Sequence, residues 1–226
     1  MFVVFSAISI AQTKVSPAGH WEGSIKLPTG EMKVTVDLDR DAKGTWIGDL
    51  DIPDQGVKEL PLRDLFVSDD SVNFGLPGGQ GDPLFKGKLS ADGTFLSGEF
   101  AQAGNSAPFS LKRTGEARVS VPPRIPAVPE KFTGKWEGQL DSSVGPVHLN
   151  FNISNKDGSA VGTIDSPDQG AVGIPVSLIS ASENSLKIEV KFIPAGYNGK
   201  LSDDEKTLIG EWSQAGKTYP LVLTKK

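Results

Sequence analysis

His20 and His148 are the only histidines in this 226-residue chain, and it has no cysteine. A serine hydrolase needs a base within reach of its nucleophile. The Gly-x-Ser-x-Gly turn that presents such a nucleophile does not occur here. Lack of cysteine removes disulfides, thiol nucleophiles and thiolate metal sites together. His20 aligns with Lys135 and His148 with Lys33 in the internal repeat set out below, so both are expected at the surface. Two histidines in separate domains also make a poor zinc site. The stretch "DLDRDAKG" (Asp37–Gly44) begins like a calcium loop, but Ala42 and Gly48 stand where glycine and glutamate are required. A solvated hairpin is expected there. Glu22 and Glu137, like Glu99 and Glu211, recur beside apolar residues, so alternation turns them outward toward lysines such as Lys88 and Lys200. Gly78, Gly79 and Gly81 have no helix after them and make no phosphate loop. No catalytic residue, metal site or cofactor is expected.

What remains is a set of repeated polar turns. "PDQG" occurs at Pro53–Gly56 and again at Pro167–Gly170, and "QAG" at Gln102–Gly104 and Gln214–Gly216. Pro presets φ, Asp and Gln continue the turn, and Gly takes the left-handed position. Asp51 and Asp165, two residues before each Pro, are placed to accept local backbone N–H groups. The four glutamines either solvate these turns or read a ligand from the end of a barrel.

The elements that carry these turns have a period of two. Met32, Val34, Val36 and Leu38 alternate with polar residues, as do Val147, Leu149, Phe151 and Ile153, and Leu186, Ile188, Val190 and Phe192. Such alternation predicts half-buried antiparallel strands. Turn signals interrupt them often enough for about eight short strands in each half. The halves match: "GHWEGSIKL" with "GKWEGQLDS", "GTWIGDLDIPDQG" with "GSAVGTIDSPDQG", and "FKGKLSADGTFLSGEFAQAG" with "YNGKLSDDEKTLIGEWSQAG". The expected fold is all-β: two tandem antiparallel meander β-barrels joined by a Pro-rich linker. Residues 17–115 form the first repeat, 116–130 the linker and 131–226 the second. Pro122, Pro123, Pro126 and Pro129 predict an extended linker spanning roughly 40 Å. Glycines recurring on inward strand faces, such as Gly48, Gly87, Gly98, Gly199 and Gly210, suit a strongly curved barrel or leave room for rings.

These residues carry a resemblance. Gly19-His-Trp21 and Gly134-Lys-Trp136 on the first strands, with Arg113 and Lys225 on the last, resemble the small calycin barrels, lipocalin-like or avidin-like. Over nearly all of each copy, "GKWEGQL", "IDSPDQGAVGIPV", "YNGKLS" and "LIGEWSQAGKTYPLVL" look like the β-domain that precedes the catalytic domain in many exported bacterial α/β-hydrolases. That resemblance implies an accessory role and leaves the hydrolase chemistry behind, because the catalytic residues have no counterpart here.

A formal charge of −5 argues against a nucleic-acid face. Residues 1–16 read as a signal peptide and leader, with an apolar run and a small-x-small site near Ala11, which predicts export to the periplasm or beyond. No membrane span is expected in the mature chain. Two functions are weighed: a binding module for a small apolar or amphipathic ligand, and a filled-barrel adaptor that docks a protein partner such as a separate hydrolase. An all-β enzyme is a distant third. Ala160 stands where the first copy has Trp46, which predicts the roomier barrel in the second copy. A ligand there would meet Leu149, Phe151, Ala160, Ile164, Tyr197 and Trp212, with Gln169 and Gln214 at the rim.

Overall fold

The computed structural model describes residues 15–142 and 145–226; the signal-peptide expectation lies outside them. The first repeat consists of β1 (Gly19–Leu27), β2 (Gly30–Arg40), β3 (Trp46–Ile52), β4 (Val57–Pro61), β5 (Arg63–Ser68), β6 (Ser71–Gly75), β7 (Leu84–Leu89), β8 (Phe95–Gln102) and β9 (Asn105–Gly115). The second consists of β10 (Gly134–Ser142), β11 (Gly145–Lys156), β12 (Ser159–Ser166), β13 (Ala171–Pro175), β14 (Leu178–Ser182), β15 (Ser185–Val190), β16 (Ala195–Leu201), β17 (Thr207–Gln214) and β18 (Lys217–Lys225). Each repeat thus has nine strands where the sequence predicts about eight. The fold is all-β and the duplication is plain: both sheets are antiparallel, in the orders β4-β3-β2-β1-β9-β8-β7-β6-β5 and β13-β12-β11-β10-β18-β17-β16-β15-β14. One sheet curls into a nearly closed barrel and the other into a half-barrel.

In each sheet the first and last strands pair, which curls a plain meander back on itself. The seam falls between two consecutive strands, β4 and β5 or β13 and β14. There the Leu62 N–H donates to Gly48 O and the Val176 N–H to Gly162 O, both at 2.9 Å. Tight curvature is possible because side chains are missing where strands cross closely. A Cβ on Gly98 or Gly210 would collide with the backbone of the neighbouring strand. Gly199 leaves the space that the Tyr197 ring occupies.

The tryptophans close one end of each repeat in the same way. Trp21 and Trp136 are fully buried. Their indole N–H groups donate to Pro17 O at 3.0 Å and Phe132 O at 2.9 Å. The Arg113 guanidinium and the Lys225 ammonium lie over the rings at 4.7 and 5.3 Å.

The linker is not a free spacer. Its Arg118 and Ser120 N–H groups donate to the buried carboxylates of Asp37 and Asp49 on the first repeat, at 2.7 and 2.6 Å. Further on, Arg124 bonds Ser159 and Asp157, Ile125 O accepts the Ala160 N–H at 3.0 Å, and the Val128 N–H donates to Asn155 Oδ1 at 3.0 Å. Prolines keep this segment extended, but its amides and its apolar Ile125 and Val128 find partners on both repeats.

That packing corrects the expectation at Ala160. Trp46 does not fill the first interior; it lies half-buried at the closed end beneath the Arg40 guanidinium, 4.3 Å from the ring centre. Ala160 therefore leaves no internal void to occupy, and the linker covers its place. Phe192 also departs from its predicted strand. β15 stops at Val190, and Phe192 lies buried in the following turn.

Candidate functional site

The PDQG turns are single turns of 3-10 helix, Pro53–Gln55 and Pro167–Gln169, ended by left-handed Gly56 and Gly170 at φ 67° and 65°. The Glu59 N–H donates to Asp51 Oδ1 at 2.6 Å and the Gly173 N–H to Asp165 Oδ1 at 2.7 Å, the local amide bonds expected of these carboxylates. The β1–β2 and β8–β9 hairpins turn at the same end of the first repeat. Gln55 and Gln102 are thereby brought to one mouth, and Gln169 and Gln214 to the equivalent mouth of the second repeat.

The first mouth opens into a hollow of similar size to the one at the second. It measures about 340 Å³. Ile25, Val34, Leu50, Ile52, Phe85 and Phe100 form its floor and walls, and none of the residues that line it is charged. Its cap comes from the other repeat: Ile174 of β13 and Phe192 and Ile193 of the turn after β15. Two backbone bonds hold the cap in place, Lys58 N–H to Phe192 O at 3.2 Å and Gly78 N–H to Val172 O at 3.1 Å. Sequence reading missed these residues because the contacts join strands and turns of different repeats, which no local period encodes.

The second mouth holds a more open hollow of about 310 Å³. Of the residues predicted from sequence, Leu149, Gln169, Trp212 and Gln214 line it. Phe151, Ala160, Ile164 and Tyr197 do not; all four are buried in the packed interior beneath. Phe151 meets Tyr197 and Trp212 edge-on, with ring centres 5.5 and 5.9 Å apart. The Tyr197 hydroxyl, expected as a polar handle for a ligand, points instead toward Leu221 O at 3.4 Å, and burial pushes its pKa up.

The glutamines of the two mouths are locked in opposite senses. Gln102 donates its amide N–H to Gln80 O at 2.9 Å, and Gln55 donates to the Met32 sulfur at 3.4 Å, so both offer their carbonyl oxygens. Gln214 instead accepts from the Trp212 indole N–H at 3.2 Å, and Gln169 accepts from the Ser166 hydroxyl at 3.0 Å. Their amide N–H groups are the ones left to donate.

The remaining polar groups lie outside the mouths. His20 pairs with the buried Asp37 at 2.8 Å and with Glu22 at 3.3 Å. His148 pairs with Asp168 at 2.8 Å, and its hydrogen bonds hold the Asp168 carboxyl below its usual range. Asp41 caps its own turn by accepting from Lys43 and Thr45 N–H, as a hairpin does. Glu137 is paired with Lys135 and Lys226, and Lys88 with Asp70. Among the described residues no group of three or more His, Cys, Asp or Glu could hold a metal ion.

No family model matches this chain. No curated protein matches it significantly either. Three solved structures are distantly similar to it. A candidate outer membrane protein from Bacteroides fragilis is 12% identical, with 92% of this chain and 97% of that one covered and a TM-score of 0.31. A DUF3598-family protein of unknown function from Nostoc punctiforme is 13% identical, at 95% and 96% coverage and a TM-score of 0.24. A candidate AttH from Nitrosomonas europaea is 13% identical, at 99% and 98% coverage and a TM-score of 0.25.

Proposed function

We propose that this is an exported, non-catalytic binding module whose first repeat takes an uncharged, largely apolar small molecule at its mouth. The observation that carries the reading is the hollow of about 340 Å³ with no charged residue in its lining. Small-molecule sites are concave, mostly apolar and carry a few convergent polar groups, and they begin at roughly 300 Å³. The carbonyl oxygens offered by Gln55 and Gln102 fit a hydroxyl or N–H on the ligand, while the apolar walls would penalise a carboxylate. The site is composite: Phe192 and Ile193 must stay docked for the ligand to be covered. Export rests on the N-terminal sequence pattern alone.

The test is fluorescence titration of the full chain with N-phenyl-1-naphthylamine, a neutral apolar probe. Met32→Trp, which puts an indole into the rim, should weaken binding at least about tenfold, the scale of one lost apolar contact surface. Ile193→Ser should weaken it less. Unchanged affinity in Met32→Trp would sink the reading. Absence of binding altogether would favour the second one, an adaptor that docks a protein partner. The interiors below both mouths, filled by Phe74, Phe85 and Phe109 in one copy and by Phe151 and Tyr197 in the other, are the observation on its side. The resemblance to hydrolase-associated β-domains would then make a separate hydrolase the first partner to try.

A further inference from the structure

We infer that the mouth of the second repeat is a distinct site for a small anionic amphipath, a molecule with a planar apolar body and one carboxylate, sulfonate or phosphate head. The duplication supplies a built-in control. Ile25, Val34, Gln55 and Gln102 at the first mouth have Leu140, Leu149, Gln169 and Gln214 as their counterparts. Leu27 becomes Ser142 and Met32 becomes Val147 with no gain of charge, and three further changes alter the polarity of the mouth: Phe100 becomes Trp212, Asn105 becomes Lys217 and Ala107 becomes Tyr219.

The first change reverses the polarity of the rim. Phe100 has no N–H, so Gln102 is free to donate to Gln80 O, and its oxygen is not claimed by the ring beside it. The Trp212 indole can only donate. It claims the Gln214 oxygen at 3.2 Å and leaves the Gln214 amide N–H groups for an incoming acceptor. Gln169 is turned the same way by Ser166.

The second change adds charge. Lys217 is the only charged residue among the described residues that line this hollow, and no carboxylate of the described residues forms a salt bridge with it. Asp168, next to Gln169, is occupied by the backbone N–H and ring of His148. Gln169, Gln214 and Lys217 therefore line one hollow together with the apolar Val147, Leu149 and Trp212, two donor amides and an ammonium beside an apolar wall. Hydrogen bonds to an ionised acceptor are the strong ones. The third change, Tyr219, widens the aromatic wall for a planar body.

This inference stands apart from the reading of the first mouth. The probes are a matched pair: 8-anilinonaphthalene-1-sulfonate, and N-phenyl-1-naphthylamine, which has the same rings without the sulfonate. Lys217→Asn installs the first-repeat residue at an exposed position, so folding is not at stake. It should weaken sulfonate binding about threefold to tenfold and make it less sensitive to salt, with the neutral probe unaffected. Trp212→Phe should act in the same direction by letting Gln214 turn, with a thermal melt recorded alongside. Met32→Trp at the other mouth should leave the sulfonate probe alone. Equal sulfonate affinity in wild type and Lys217→Asn overturns the inference. So does a parallel fall for both probes, or a sulfonate signal abolished by Met32→Trp.

Discussion

On their outer flanks the two repeats solve one problem differently. The second repeat carries Asn152 and Thr163 on adjacent strands, and the Asn152 amide donates to Asp165 at 3.1 Å and lies 3.4 Å from Thr163 Oγ1. The first repeat carries Asp37 and Asp49 at the same positions, paired across β2 and β3. Two carboxylates have no proton to share with each other at neutral pH, so their donors must come from elsewhere. His20 supplies one, and the linker supplies the Arg118 and Ser120 N–H groups. An amide and a hydroxyl make a self-contained flank, whereas two acids make a flank that needs a strap. Burial pushes the Asp49 carboxyl up to about 6, against the lowering effect of the Ser120 bond and reinforced by Asp37, Asp51 and Glu59.

The comparison breaks most visibly if its shared part fails. Trp21→Ala and Trp136→Ala should each cost about 3–5 kcal/mol in urea unfolding, because both rings are wholly buried. A loss below about 1 kcal/mol for one of them would mean that the closed ends are not equivalent.

The acidic flank gives the next largest effect. Asp49 takes up its proton in the folded state near pH 6 and in the unfolded chain near 3.9, so its penalty is absent below about pH 4 and complete above 6. Wild type should therefore lose up to about 3 kcal/mol relative to Asp49→Asn as pH rises through that window. Parallel stability curves for the two proteins from pH 3.5 to 7.5 would remove the contrast between the flanks.

Ala160→Trp places the first repeat's residue where the second has the linker. It should destabilise by about 1–3 kcal/mol as the ring displaces Ile125, read as a lower urea midpoint. A neutral or stabilising result would mean that segment 124–128 is not seated. The smallest effect is at a position of positive φ in β4. Glu59 sits at φ 53° where its counterpart is Gly173 at φ 70°. Glu59→Gly should raise stability by up to about 1 kcal/mol, measurable as a shift in thermal midpoint.

Much of this was legible because it is local. Alternation at Met32–Leu38 and Val147–Ile153, the paired PDQG turns and the Gly-x-Trp anchors each declare themselves within a dozen residues. The glutamine turns were visible too, but their opposite locking was not, since it depends on Gln80 in one copy and Trp212 in the other. Side-chain volume read from Trp46 and Ala160 misled. Volume opens a cavity only if nothing else arrives, and residues 35 positions away in sequence did arrive, Ile125 over Ala160. The cap on the first mouth and the strapped linker are likewise long-range backbone contacts, to which composition and period are blind.

The contact between the repeats has a consequence for assembly. Lys58 of β4 meets Phe192, two residues beyond the end of β15, while Val172 of β13 meets Gly78, three beyond the end of β6. Lys58 and Val172 are counterparts, and so are the two turns. Residue by residue the contact is reciprocal, as between the halves of a two-fold dimer, although Lys58 donates its N–H while its counterpart Val172 accepts through its carbonyl. Such a contact is closed: once made, it leaves no unsatisfied copy of itself to recruit a third unit. The linker makes the encounter intramolecular, so the pairing is independent of protein concentration. A head-to-tail pairing of the same patches would instead leave one copy open at each end of the chain.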